Sequence, residues 1–95
     1  MFVIREVFTA KPGMASQLAR RFKEAFAGMP EMHTRVLTDQ VASFNTVVLE
    51  TEVQDLGEFD RRMQEYAAQP EMRERLKGYH DMYLTGRREI YRVMD

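Results

Sequence analysis

The sequence has 95 residues, of which 44% are hydrophobic and 31% are charged, and we expect one globular domain over residues 1–95. It has no cysteine, which excludes disulfides, a thiol nucleophile and thiolate metal sites. The 14 Lys and Arg against 15 Asp and Glu exclude the basic surplus that nucleic-acid binding needs. No apolar run is long enough to span a membrane and no signal-peptide pattern is present, so we expect a cytoplasmic protein.

The chain begins with a predicted strand over residues 2–8, a β-branched and aromatic run. The turn Lys11-Pro12-Gly13 ends it, because proline lacks an amide donor and glycine permits a turn. From Met14, hydrophobic residues recur every four positions. This spacing predicts an amphipathic helix of about 15 residues that ends near Gly28.

Two more strands are predicted at about residues 32–39 and 44–53, joined by a connection short enough for a hairpin. Asp55 lies three residues before Glu58, which is the spacing of a capping box. A second amphipathic helix is therefore expected to begin there.

This second helical pattern meets Pro70, which predicts a kink or a fresh helix because proline is tolerated in a first turn. The apolar stripe continues through Tyr83, so we predict helix as far as a C-terminal cap at Gly86. Residues 87–94 are then predicted to form the last strand. The order β-α-β-β-α-β predicts an α+β, ferredoxin-like sandwich with a four-stranded antiparallel sheet.

Apolar side chains occur on both faces of the predicted strands. Ile4 and Val7 point to opposite faces of the first strand, and Val47 and Val48 do so in the third. The two helical crossovers have the same handedness and can cover only one face. We therefore expect a homodimer that packs through the open sheet face. The alternative is that these residues are scattered surface hydrophobics.

Three segments carry a family resemblance: Lys11–Gly13, Arg35–Asp39 running into Phe44–Glu50, and Gly86–Tyr91. They resemble the dimeric α/β-barrel superfamily, and above all its NIPSNAP-like members. Antibiotic-biosynthesis-type monooxygenases are more distant members of that superfamily. The resemblance implies two sheets that close a barrel across a dimer, with a small-molecule pocket between each sheet and its helices. It also implies that the related monooxygenases work without metal or flavin in a pocket that often holds a tryptophan, whereas this sequence has none.

His80 is the most promising titratable residue, because it follows Leu76 by one turn of the predicted helix and borders the apolar stripe. A histidine at a pocket rim can act as a general base or bind a polar group. The alternative is a half-buried structural histidine. His33 is expected to be structural, and the two histidines lack a metal-binding spacing, so we predict no metal and no cofactor.

The candidate ligand-binding residues are three tyrosines of the helical stripe and two charged residues: Tyr66, Tyr79, Tyr83, Glu50 and Arg88. Tyrosines in such a stripe are core residues first and pocket-lining residues second. Glu50 is expected either to pair with arginines on neighbouring strands or to be a polar pocket group. Arg88 either binds an anion or belongs to a paired surface cluster.

We predict a protein of unassigned biochemical function that binds a small, largely apolar or aromatic molecule between sheet and helices. One alternative is an enzyme, a cofactor-independent monooxygenase or an isomerase-like relative, with His80 as general base. Another is a dimeric interaction module without a pocket, which predicts no cavity as large as roughly 300 Å³.

Overall fold

The computed structural model describes all 95 residues. The strands are β1 (Phe2–Ala10), β2 (Thr34–Thr38), β3 (Thr46–Val53) and β4 (Tyr83–Arg92). The helices are α1 (Ala15–Ala27), α2 (Leu56–Ala67) and α3 (Pro70–Arg75), with short 3-10 helices at Pro30–Met32 and Tyr79–Met82. The four strands pair antiparallel in the order β2-β3-β1-β4. This arrangement is an α+β, ferredoxin-like fold, and it confirms the predicted order of elements.

The hydrophobic core lies between the helices and one face of the sheet. Leu18 and Phe22, one turn apart on α1, are 0% and 2% exposed and pack against Phe8 and Val47 of the sheet. A second cluster joins Ile4 of β1 to α2 and α3. Burial of these side chains is the main stabilising contribution, because each removes a large apolar surface from water. None of the helices combines the length and apolar character that a bilayer crossing requires.

The sheet has one covered face and one open face. Even-numbered residues of β1, such as Ile4 and Phe8, contact the helices, whereas Val7 points away from them and pairs with Val48. The Cα trace measures 36 × 35 × 18 Å, and its thickness is that of one sheet and one layer of helices. The chain therefore leaves the second face of its sheet without a helical cover.

The segment after α3 differs from the prediction of a helix that runs to Gly86. The chain leaves α3 after Arg75, and Gly78 then adopts φ +83°, a left-handed conformation that ends the helical path. The strand β4 begins at Tyr83, so Gly86 lies within a strand and caps no helix. The spacing wrongly predicted one continuous helix because Leu76 and Tyr83 pack on the same core cluster although they belong to different elements.

The two strands of the predicted hairpin are shorter than expected. Met32 belongs to a 3-10 helix and is buried, and β2 begins at Thr34. Phe44 is 87% exposed and lies in the connecting loop, and β3 begins at Thr46. The loop is closed by a hydrogen bond of 2.9 Å from the Thr46 amide to Asp39 Oδ1. This local side-chain bond competes with strand pairing and ends the hairpin early.

Candidate functional site

A groove lies over the edge strand β4, on the covered side of the sheet. The helix α1 packs on β1, β2 and β3, while β4 keeps exposed residues such as Ile90, which is 48% exposed. The groove has a volume of about 480 Å³ and is open to solvent on one side. Its lining residues are Glu6, Phe8, Tyr79, Tyr83, Gly86, Arg87 and Arg88.

A β-bulge brings Tyr83 into this groove. Gly86 pairs with Phe8, yet Tyr83 pairs with Ala10, which is only two residues further along β1. Three residues of β4 therefore span two of β1, and Leu84 has no partner. Such an extra residue reverses the alternation of side chains along the strand. Tyr83 consequently shares a face with Gly86 and with the core cluster around Phe8.

The floor and one wall of the groove are aromatic. The rings of Phe8 and Tyr83 meet edge to face with centroids 4.9 Å apart, and Tyr79 lies 6.0 Å from Tyr83. Phe22 supports the group from α1, 5.0 Å from Phe8. Gly86 leaves room for this packing, because a Cβ there would lie 3.1 Å from Phe8 Cδ1 and would push the ring by a few tenths of an ångström. Fixed aromatic faces of this kind suit stacking of a planar or apolar molecule.

The charged part of the groove is an ion pair between β1 and β4. Arg88 donates from Nε (3.0 Å) and from a terminal nitrogen (2.6 Å) to the same oxygen, Oε1 of Glu6. The second carboxylate oxygen of Glu6 is thereby left available to a ligand. Burial, with smaller contributions from Tyr83 and the charge of Glu6, raises the pKa of Tyr79. Tyr79 therefore stays a hydroxyl donor through the neutral pH range.

His80 lies beside the groove, in the 3-10 helix that precedes β4. Its ring stacks on Tyr79 at a centroid distance of 4.0 Å, and its Nδ1 is 3.3 Å from the Tyr83 hydroxyl. Which of these two atoms donates depends on the tautomer. The side chain of His80 is exposed rather than half-buried, and it also lines a separate open cavity of about 280 Å³ beside α3.

The predicted site residues do not all come together. Tyr79, Tyr83 and Arg88 line the groove, and His80 borders it. Tyr66 packs on the separate cluster of α2 and Ile4. Glu50 lies on the opposite face of the sheet, so one groove cannot contain it together with the two tyrosines.

Glu50 makes the cross-strand ion pairs that were expected as one of its two roles. It accepts hydrogen bonds from Arg5 Nε (2.8 Å) and from a terminal nitrogen of Arg35. The bond from Arg35, assisted by Arg5 and opposed by burial, holds the pKa of Glu50 below its ordinary value. Glu50 therefore stays ionised while its side chain is only 7% exposed.

Sequence reasoning missed Glu6, Phe8 and Gly86 as groove residues. Glu6 did carry a signal, because it is an acidic residue in an apolar strand and shares its face with Ile4 and Phe8. Its partner Arg88 is 82 residues away, and only the strand register brings the two together. No group of three His, Asp or Glu side chains is arranged to hold a metal ion.

The fold and the groove define a ferredoxin-like α+β protein with an aromatic cleft beside its edge strand. It is similar to an uncharacterized NIPSNAP domain protein from Burkholderia xenovorans (TM-score 0.81, 13% identity, 99% of this chain and 95% of that chain). It is also similar to a NIPSNAP family protein from Agrobacterium tumefaciens (TM-score 0.85, 10% identity, 99% of this chain and 93% of that chain). A third similar structure is an antibiotic biosynthesis monooxygenase (TM-score 0.73, 12% identity, 100% of both chains).

These similarities confirm the predicted NIPSNAP-like resemblance at the level of the fold. The sequence itself matches no protein-family model and no curated protein. At identities of 10% to 13% the shared architecture carries no information about a ligand or a reaction. Only the residues of the groove itself therefore indicate which ligand or reaction this chain supports.

Proposed function

We propose that this protein binds a small, largely aromatic or apolar molecule in the groove over β4. The observation that carries the proposal is a cleft of about 480 Å³ with an aromatic wall of Phe8, Tyr79 and Tyr83. Ligand sites typically occupy roughly 300–1,000 Å³ and combine apolar walls with a few polar groups. The groove meets both criteria, whereas an interaction module without a pocket would have no such space.

The polar groups at the groove indicate which aromatic molecules fit best. The second carboxylate oxygen of Glu6 can accept a hydrogen bond from a ligand, and the Tyr79 hydroxyl can donate one. Arg88 is already bound to Glu6, so it holds that carboxylate in place. We therefore expect a planar ring that carries a hydroxyl or amino group directed at Glu6.

Fragment binding in solution tests the proposal. A set of phenols, anilines and bicyclic aromatics is titrated into labelled protein and followed by amide NMR shifts. We expect the shifts to cluster on Phe8, Tyr79, Tyr83 and Gly86. A screen that shifts no groove resonance would contradict the proposal.

Filling the groove gives a sharper version of the same test. A valine at Gly86 puts its side chain against Phe8 and into the cleft, so Gly86→Val should weaken the best fragment at least tenfold, by about 1.4 kcal/mol. Thr85→Val is the matched control, because it places the same side chain on the opposite face one residue away. Thermal unfolding checks that both variants fold. Equal affinity in both variants would show that the fragment binds elsewhere.

An enzymatic function is the second candidate, and the contact between His80 Nδ1 and the Tyr83 hydroxyl supports it. A histidine at that position can take a proton from a molecule stacked on Tyr83. The groove ligand should then be converted, with or without uptake of oxygen, and His80→Ala should slow conversion at least a hundredfold without a loss of binding. An unchanged rate would show that His80 is not the base. Binding without conversion would contradict the enzymatic function and would leave binding as the only proposed function.

The proposal includes a homodimer that packs through the open sheet face. That face has no helical cover and leaves apolar side chains such as Val48 and Tyr91 partly exposed, whereas Val7 is already buried within the chain. Four strands at about 4.8 Å spacing and about 26 Å long give a footprint of about 500 Å² per copy. About 1,000 Å² in total is the minimum expected of a biological interface. Light scattering at micromolar concentration should give twice the chain mass, and a monomer would contradict the dimer.

The cytoplasmic location expected from the sequence belongs to the same proposal. Cell fractionation tests it, with recovery in the membrane or secreted fraction as the contrary result.

A further inference from the structure

A row of alternating charges crosses the open face of the sheet. The strand register places Arg35 of β2 beside Glu50 of β3, Glu50 beside Arg5 of β1, and Arg5 beside Glu89 of β4. All four strands contribute one charge to this row, in the order plus, minus, plus, minus. Ion pairs from Arg35 and Arg5 to Glu50 hold the first three side chains in place.

The neighbouring row of the same face is mainly apolar. Leu37 of β2 pairs with Val48 of β3, and Val48 pairs with Val7 of β1. A partner that covers this face must therefore place apolar groups over one row and alternating charges over the next. A partner of uniform charge would meet repulsion at half of the charged positions.

A second copy of this chain meets these requirements in one orientation. Two sheets packed face to face are related by a two-fold axis that lies between them. When the axis runs parallel to the strands and midway between β1 and β3, the strand order of the partner is reversed. Arg5 then faces Glu50 of the partner subunit, and Arg35 faces Glu89 of the partner subunit. In the apolar row, Val7 faces Val48 of the partner subunit.

The competing symmetric arrangement places the axis across the strands, along the charged row. Each strand then faces its own copy, so Arg35, Glu50, Arg5 and Glu89 would each meet an identical charge. Like charges placed opposite each other across an interface are strongly unfavourable. The alternating row thus discriminates between two arrangements that bury the same area.

We propose that the charged row sets the geometry of self-association, with β1 of one copy over β3 of the other. This inference rests on the homodimer proposed above and adds its orientation. The row acts chiefly on specificity, because each charge is already partly satisfied inside its own sheet.

The two outer charges allow a clean test. Arg35 and Glu89 lie on opposite edges of the sheet, three strand spacings or about 14 Å apart, so they do not touch within one chain. An energetic coupling between them in the dimer must therefore act between copies. The experiment measures the dimer dissociation constant by sedimentation equilibrium for Arg35→Glu, Glu89→Arg and the double variant.

We expect each single reversal to raise the dissociation constant at least tenfold and the double variant to return within about threefold of the wild type. Arg20→Glu, an exposed position on α1 without an ion pair, is the matched control and should change nothing. Additive losses in the double variant would overturn the orientation while leaving the dimer intact. A monomeric wild type would overturn both the dimer and the orientation.

Cross-linking provides a second measurement that does not depend on charge reversal. The chain has no cysteine, so Leu37→Cys and Arg87→Cys each introduce a single thiol. In the proposed orientation these two positions face each other across the interface. A short bismaleimide should join a mixture of the two variants and leave each variant alone unlinked. Efficient linkage of Leu37→Cys to itself would show that β2 faces β2 and would overturn the orientation.

Discussion

The two faces of the sheet exclude water by different means. On the covered face Phe22 and Leu18 are hidden by apolar packing between α1 and the strands. On the open face Glu50 is 6% exposed although no helix lies over it, because the guanidinium groups of Arg5 and Arg35 cover its carboxylate. A buried apolar side chain and a buried charge thus reach the same low exposure through different physical interactions.

The difference has a consequence for stability. Burial on the covered face belongs to the single chain and should not depend on protein concentration. In the proposed dimer, the half-buried Val48 on the open face is covered further by a second copy, so this part of its burial should depend on concentration. The pairing of Glu50 depends on its being ionised, so it should depend on pH. Each of these dependences can be measured separately.

The largest effect is expected at the covered face. Phe22→Ala removes a ring that contacts Phe8 and Tyr79 and leaves a cavity in the core. The free energy of unfolding should fall by about 3–5 kcal/mol at every protein concentration. Urea unfolding measures this loss, with Val41→Ala as control because that side chain is 97% exposed and should change little. A loss below 1 kcal/mol at Phe22 would mean that the covered face is not the core.

A smaller effect is expected at the centre of the open face. Val48→Ala removes two methyl groups whose full burial in the proposed dimer is worth about 1.5 kcal/mol per chain. The loss should be evident in urea unfolding above the dimer dissociation constant and should shrink on dilution below it. A loss that stays the same at all concentrations would show that Val48 is buried within one chain.

The sequence predicted those features that depend on residues close together in the chain. The spacing of Leu18 and Phe22 predicted α1, and Asp55 predicted the start of α2. Asp55 Oδ1 indeed accepts a hydrogen bond of 2.9 Å from the Gly57 amide, which is an N-cap contact. The presence of apolar side chains on both sheet faces was equally visible, because alternation along a strand fixes which residues share a face.

The groove could not be predicted in the same way, because it depends on pairing between the two ends of the chain. The bulge at Leu84 turns Tyr83 towards Phe8, and a strict alternation would have separated them. The left-handed Gly78 ended a helical stripe that spacing alone extended to Gly86. These features depend on how β4 pairs with β1, and no pattern of neighbouring residues in the sequence predicts that pairing.

The pH dependence of Glu50 tests the open face within a single chain. Its pKa is lowered in the folded state by Arg35 and Arg5, so the folded protein binds this proton less readily than the unfolded chain. The resulting stabilisation is present above about pH 4.5 and is lost as the pH falls through the lower folded-state pKa. Glu50→Gln lacks it, so the stability difference from the wild type should shrink below pH 4.5.

Urea unfolding at a series of pH values from 7 to 3 measures this difference. Glu52→Gln is the matched control, because it removes an exposed carboxylate two residues along the same strand face. A difference between the wild type and Glu50→Gln that is constant with pH would show that the ion pairs of Glu50 contribute nothing through its charge.

The smallest effect is expected in the pKa values of two tyrosines, one on each face of the sheet. The pKa of Tyr79 is raised first by burial, whereas the pKa of Tyr91 is raised first by its hydrogen bond and charge interaction with Glu89. Each contribution to stability is present below about pH 10 and is lost as the pH rises through the folded-state pKa. Salt screens charge interactions at exposed sites but does not restore water to a buried ring.

The absorbance of tyrosinate should therefore separate the two causes. In the Tyr79→Phe variant the late-ionising component comes from Tyr91, and 1 M salt should move it down towards pH 10. In the Tyr91→Phe variant it comes from Tyr79, and salt should leave it unchanged. A ligand in the groove should raise the Tyr79 component further, because it removes more water from that ring. If salt lowers the pKa of both tyrosines equally, then charge rather than burial raises both pKa values. That result would contradict the difference between the two faces.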